Sequence, residues 1–316
     1  MSKVVEKIKK SYFRHGNKKV IDLEVHRIAK QESAANKKLL NDLEKQFDPA
    51  TGDPLYHTYM YTLSSIMPLV NLVTSMPDLA AYRKLSEEQE DLYAPGYPPM
   101  SPVTDSYYQW RDLCDLRFGN ENLTVMEILI EMASFLPMNS GVVDIMKKMS
   151  ESRMGLYELK EYHEDKIVLQ EVVSKKTFKV YSSSGYQGKI GQLWYVRLVP
   201  PLMDSIDYHA VMTTPYVVAS AGVREWEAFF LKNNINEGNL YPFMKYGPSI
   251  NYWSEFIFWG FLNYVDTAIF MTGFPDKFET MPAHNSFKRT ALFEQHAHAA
   301  FTKNDFAQIV ARHSGK

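Results

Sequence analysis

The sequence predicts an α+β protein: a mainly helical body with an inserted small antiparallel β-barrel, or bent sheet, of about five strands. Three observations carry this expectation. Apolar residues recur at helical spacing on both sides of the chain's middle. Between residues 153 and 218 the period switches to two, with turn-forming residues between short runs. With 45% apolar and 23% charged residues over 316 positions, the chain can bury a substantial core. The expected organisation is a basic helical arm over 1–47, a helical region over 48–152, the small barrel over 153–218, and a C-terminal helical region over 219–316 that packs with 48–152.

In the arm, Val4, Val5 and Ile8, then Val20, Leu23 and Ile28, then Leu39, Leu40, Leu43 and Phe47 recur at helical intervals, with a break at Gly16-Asn17. Turn formers crowd Asp48–Pro54 and Tyr93–Pro102, and helices are expected at 55–75, 78–92, 104–117, 123–136 and 140–152, with Asn122 or Thr124 as a cap for the fourth. The stretch from Pro54 to Pro77 carries no charge. His57, Asn71 and several hydroxyls dilute it, so a buried helix pair broken near Pro68 is expected rather than a membrane span.

The barrel strands follow as Leu156–Tyr162, Ile167–Val173, Phe178–Tyr181, Leu193–Val199 and Tyr208–Thr214, the third and fourth joined by a long Gly- and Ser-containing loop. Helices are expected again at 221–234, 249–265 and 285–301, with Ala268–Met271 as a strand running into a turn. The aromatic run Tyr252–Tyr264 is apolar nearly all round its helix, which implies burial in the core or a subunit contact.

Composition excludes several classes. A net charge of −2 announces no global field for nucleic acid. One cysteine, Cys114, forms no intrachain disulfide or thiolate zinc cluster; it is expected to pack as a small apolar residue in a reducing, cytoplasmic setting. No apolar run follows the basic N-terminal residues, so no secretory signal is expected. No repeat is evident.

Catalytic motifs fail one by one. The loop Gly185-Tyr-Gln-Gly-Lys-Ile-Gly lacks the glycine and the hydroxyl that a phosphate loop needs, and a strand follows it where a dinucleotide fold places a helix. No HExxH or GxSxG occurs. Glu127 and Glu131, four apart on a helix, form a carboxylate pair, as Glu294 and His298 form a weak metal pair; neither defines a centre, and no metal or cofactor is expected.

Charge patterning is more informative. Residues 3–47 hold twelve Lys and Arg against six Asp and Glu, a local surplus of +6. From Val172 to Met203 there are five basic residues and no acid, interleaved with aromatics. Lysines bind phosphates and exposed aromatics stack bases, so contact with nucleic acid or an acidic protein is expected at Lys9, Lys10, Arg14, Lys18 and Lys19 of the arm. The barrel counterparts are Lys175, Lys176, Lys179, Tyr186, Lys189 and Arg197. By strand alternation Trp194, Val196 and Leu198 share one face and Tyr195, Arg197 and Val199 the other, and one of the two faces must be core.

Three strings, Arg153-Met-Gly-Leu-Tyr-Glu-Leu, Gly185–Pro201 and Thr213-Thr-Pro-Tyr, resemble a small β-rich module of uncharacterised bacterial proteins, some of which carry a zinc-binding SEC-C tail. The similarity spans 153–218, and a single cysteine departs from the tailed members. The resemblance implies a bacterial cytosolic protein and no particular reaction.

The leading expectation is therefore a non-catalytic binding or assembly protein. The alternatives are a motif-less hydrolase using His284, Glu294 or His298, and a structural homo-oligomer joined through the Tyr252–Tyr264 helix.

Overall fold

The computed structural model describes residues 1–16 (backbone only from 11), 52–96, 101–136, 138–219 and 221–275. Within them lie nine α-helices, one short 3-10 turn and eight strands, an α+β fold containing a small closed barrel. The chain divides into two compact units, one formed by 1–86 and 112–151, the other by 87–111 and 152 onward.

The first unit is helical. Helix α1 (Lys3–Gly16) sinks Val5 and Ile8 completely and packs on α5 (Val125–Met132) and on the 3-10 turn Pro77–Leu79. Helix α2 (Pro54–Thr74) starts where the Asp53 carboxylate accepts the Tyr56 N–H at 2.9 Å, with Pro54 in its first turn. It buries Leu55, Tyr59, Leu63, Ile66, Val70 and Val73 on one stripe, against α5 and α6 (Ser140–Glu151). The expected break at Pro68 does not occur. Pro68 sits on the exposed side, where solvent can satisfy the carbonyl that its ring leaves unbonded. Among the described residues no helix is long and apolar enough to cross a membrane. Helices α3 (Ala80–Tyr93) and α4 (Asp105–Cys114) each give residues to both units.

The second unit is built on strands β1 (Arg153–His163), β2 (Lys166–Glu171), β3 (Thr177–Ser182), β4 (Leu193–Val199) and β5 (His209–Val211). Their pairings run β1–β2–β3–β5–β4 and return from β4 to β1, closing a barrel. Four ladders are antiparallel as expected. The fifth, β3 against β5, is parallel, because the connection from β3 to β4 skips one strand position and β5, turning back antiparallel beside β4, fills it. Inside, Tyr157, Leu159, Leu169, Val180, Trp194 and Val196 form a dry core.

The sheet continues past the barrel. Strand β6 (Tyr216–Val218) joins β4, then β8 (Ala268–Met271) in parallel, then β7 (Phe261–Val265) at the edge. Helices α7 (Val223–Lys232), α8 (Glu237–Tyr246) and α9 (Tyr252–Gly260) belong to the same unit. A second core forms there, in which Tyr195 of β4 stacks on Trp253 at 5.2 Å and Trp226 meets Phe256 edge-on.

The helix expected over 249–265 stops at Gly260. A side chain there would lie 2.7 Å from the Thr272 carbonyl, so only glycine lets β7 and β8 close together. Trp253, Phe256, Ile257 and Phe258 are buried in this core, while Tyr252, Trp259, Phe261 and Tyr264 are half-buried against it. The region 285–301 lies outside the described residues.

Candidate functional site

The barrel residues expected to meet a ligand have other occupations. Strand β4 is buried on both faces, so alternation leaves neither face for a ligand. Arg197 is 0% exposed: its guanidinium donates to the Ser152 carbonyl at 2.8 Å and hydroxyl at 3.1 Å, and lies over the Trp110 ring. It is a core residue and not a phosphate contact. Lys245, also buried, donates to the same carbonyl at 2.7 Å. Tyr186, half-buried, packs its ring 5.3 Å from Trp194 and donates its hydroxyl to Gln192.

The three lysines around β3 are matched by acids from elsewhere in the chain. Lys175 pairs with Glu227, Lys176 with Glu237 at 2.6 Å, and Lys179 with Asp207 at 3.2 Å. Glu237 holds the Lys176 ammonium above its ordinary pKa. These pairs are exposed and add little stability, but they cancel the positive field that the run from Val172 to Met203 suggested. Lys189 remains exposed on the loop before β4. That loop is structural. Gly188 takes a φ of +68°, and a side chain on it would strike the Trp194 ring at 2.6 Å.

Helix α1 is different. Lys3, Lys7 and Lys10 are all exposed and fall at i, i+4 and i+7, within about 60° of arc on a 3.6-residue helix. Among the described residues no carboxylate comes within ion-pair distance of any of the three. Lys9 points away from this stripe, 5.5 Å from the Phe135 ring. The backbone of α1 runs on through Arg14, the next position of the stripe, whose side chain lies outside the described residues, as do Lys18 and Lys19 altogether.

The start of α1 is held by acids. The Glu121 carboxylate accepts the backbone N–H groups of Lys3 at 2.9 Å and Val4 at 3.0 Å, and Glu131 accepts that of Ser2 at 2.6 Å. Those backbone bonds, with help from the nearby Lys3 and Lys7 charges, hold Glu121 below the usual carboxylate range. The positive end of the helix is thus already occupied, and what α1 offers a ligand is its lysines. Nothing in the sequence near Glu121 marks it as the partner of residues 118 positions away.

The other chemical candidates resolve into structure. Glu127 and Thr124 form a capping box for α5, and the Glu131 carboxylate accepts the Ser2 N–H. Cys114 is buried. Among the described residues no three His, Cys, Asp or Glu side chains are grouped to hold a metal. His284, Glu294 and His298 lie outside them.

His209 on β5 is packed edge-on against Phe178 at 5.0 Å, and burial pushes its pKa down to about 4. The fold therefore resists protonating a ring that titrates near 6.5 in the unfolded chain, so stability is lost as pH falls from 6.5 toward 4. Urea unfolding at pH 7 and 4.5 should show wild type losing about 2 kcal/mol more than His209→Asn, after allowance for the ring's partial exposure. Equal losses in the two proteins would show that His209 is not held neutral.

Comparison with family models, with curated proteins and with solved structures finds no match for the chain.

Proposed function

We propose that the protein is a non-catalytic binding protein that grips the phosphates of a single-stranded nucleic acid through Lys3, Lys7 and Lys10. The supporting observation is the contrast between the two lysine sets: those of the barrel are matched by Glu227, Glu237 and Asp207, whereas those of α1 stand exposed in a row without an ion-pair partner among the described residues. Successive lysines of the row are separated by about 6 and 4.5 Å along the helix axis, comparable to the step between phosphates of an extended strand. Lysine is a compact point charge suited to that contact. The single cysteine and the resemblance of residues 153–218 to bacterial cytosolic proteins support a cytoplasmic setting.

Fluorescence anisotropy with a labelled single-stranded oligonucleotide tests the proposal. Three phosphate contacts give a slope of roughly −2 in log K against log salt, and Lys3→Ala/Lys7→Ala/Lys10→Ala should abolish that increment. Binding that ignores salt, or that polyglutamate displaces better than a competing oligonucleotide, contradicts it; the latter result would favour an acidic protein partner.

A further inference from the structure

Beside the lysine row lies a pocket of about 410 Å³, within the size range of small-molecule sites. It is lined by Lys3 and Lys7 of α1, by Asp78 and Ala81, and by Asn120 and Glu121 of the 118–123 turn. Its apolar floor is mainly the half-buried Leu123 with the small exposed part of Phe118, Ile128 being fully buried. The 118–123 turn is fixed: Phe118 and Leu123 pair in a β-bridge, Gly119 takes a φ of +67° and Asn122 one of +53°, and Glu121 is tied to the start of α1. The pocket is therefore formed before any ligand arrives.

Its chemistry is mixed. Two ammonium groups on one side call for an anion. The apolar floor suits a flat hydrophobic body. Asp78, half-buried and making no side-chain hydrogen bond or ion pair among the described residues, offers an acceptor to a donor group on that body. A single nucleotide combines these three features: a phosphate, a planar base, and, in cytosine, adenine and guanine, an exocyclic amine. Carboxylates recognise such amines by accepting from them. A strand whose backbone follows Lys3, Lys7 and Lys10 also passes the pocket's mouth, since the first two lysines belong to both features.

We propose that this pocket holds one unstacked nucleotide of the bound strand, its base against Leu123 and the exposed edge of Phe118 with an amino group toward Asp78, and its phosphate between Lys3 and Lys7. This rests on α1 being the nucleic-acid contact. It goes beyond that reading in predicting a mononucleotide site and a preference for amino-bearing bases over uracil.

The test uses the full chain and a labelled single-stranded oligonucleotide, with cytidine monophosphate, uridine monophosphate and inorganic phosphate as competitors. The cytidine nucleotide should displace the strand at least about tenfold better than phosphate and several-fold better than the uridine nucleotide, and Asp78→Ala should erase the second difference. Ala81 is exposed at the first turn of α3, so Ala81→Trp fills the pocket without touching a charge. That variant should weaken strand binding about tenfold while the salt slope stays unchanged, because the lysines remain. Asn120→Trp, at another lining position, gives the same blockage if the first variant loses helix content. Strand binding that depends on Lys3, Lys7 and Lys10 but is unaffected by either tryptophan overturns the pocket and leaves the row standing. Competition by phosphate equal to that of the nucleotides means an anion seat only and also overturns it. No strand binding in wild type means the parent reading has failed.

Discussion

Trp194→Ala should destabilise the protein by about 3 to 5 kcal/mol, enough to unfold a marginal domain at 37 °C. The indole is 0% exposed at the centre of the barrel. Tyr186 lies against it and Gly188 gives way to it, so the neighbours on this side are a ring already in contact and a residue with no side chain to fill the gap. The cavity therefore stays open, and its cost adds to the lost transfer energy. Trp194→Phe should cost far less. The indole Nε1 makes no hydrogen bond among the described residues, so losing its N–H removes no partnership and relieves a desolvated donor. Chemical denaturation of both variants checks the pair. Equal losses would place the energy in the N–H and not in the ring.

Arg197→Ala is the second large effect, at about 3 to 4 kcal/mol. Truncation removes a long buried stem and one of the two cationic donors to the Ser152 carbonyl, and it empties the space over Trp110. Arg197→Met refills most of that volume without a buried charge and should recover more than half of the loss, since apolar isosteres often replace buried ions at little cost. Both variants should bind oligonucleotide as wild type does once folded, because the guanidinium is not accessible to a ligand. A folded Arg197→Met protein that has lost binding would return this residue to the interface.

These two residues also show what the sequence could and could not convey. The barrel was legible because short apolar runs are separated by turn formers and because β2 alternates, with Ile167 and Leu169 buried and Lys166, Val168 and Gln170 half-buried. Strand β4 defeats the same rule. The barrel fills one side of it and the aromatic core the other, so alternation assigns Trp194 and Tyr195 to opposite faces without leaving either face open.

The basic run was misleading for a different reason. Its acids are absent from the run itself but arrive from Asp207, Glu227 and Glu237, and local composition does not register partners supplied by the fold. Helix α8 escaped the periodicity because Gly238 and Pro242 sit inside it; the Asn236 side chain, accepting the Gly238 N–H, starts it nonetheless. The arm was legible as a surplus of +6 over residues 3–47, but the row was not: charge patterning singles out Lys9 and Lys10, whereas Lys3 and Lys7 stand exposed in line with Lys10 and Lys9 lies over Phe135. Nor was the pocket beside the row, because Asp78 and the 118–123 turn are brought to α1 only by tertiary packing.

Two triple variants of the full chain separate the lysine sets most directly. Lys3→Glu/Lys7→Glu/Lys10→Glu reverses the α1 row, and Lys175→Ala/Lys176→Ala/Lys179→Ala removes the matched lysines of the barrel. Anisotropy titrations of a single-stranded oligonucleotide at about 50 mM salt should show the first losing affinity by well over tenfold and the second staying within about twofold of wild type. Full binding by the reversed row, or loss confined to the barrel variant, would contradict α1 as the seat of the contact.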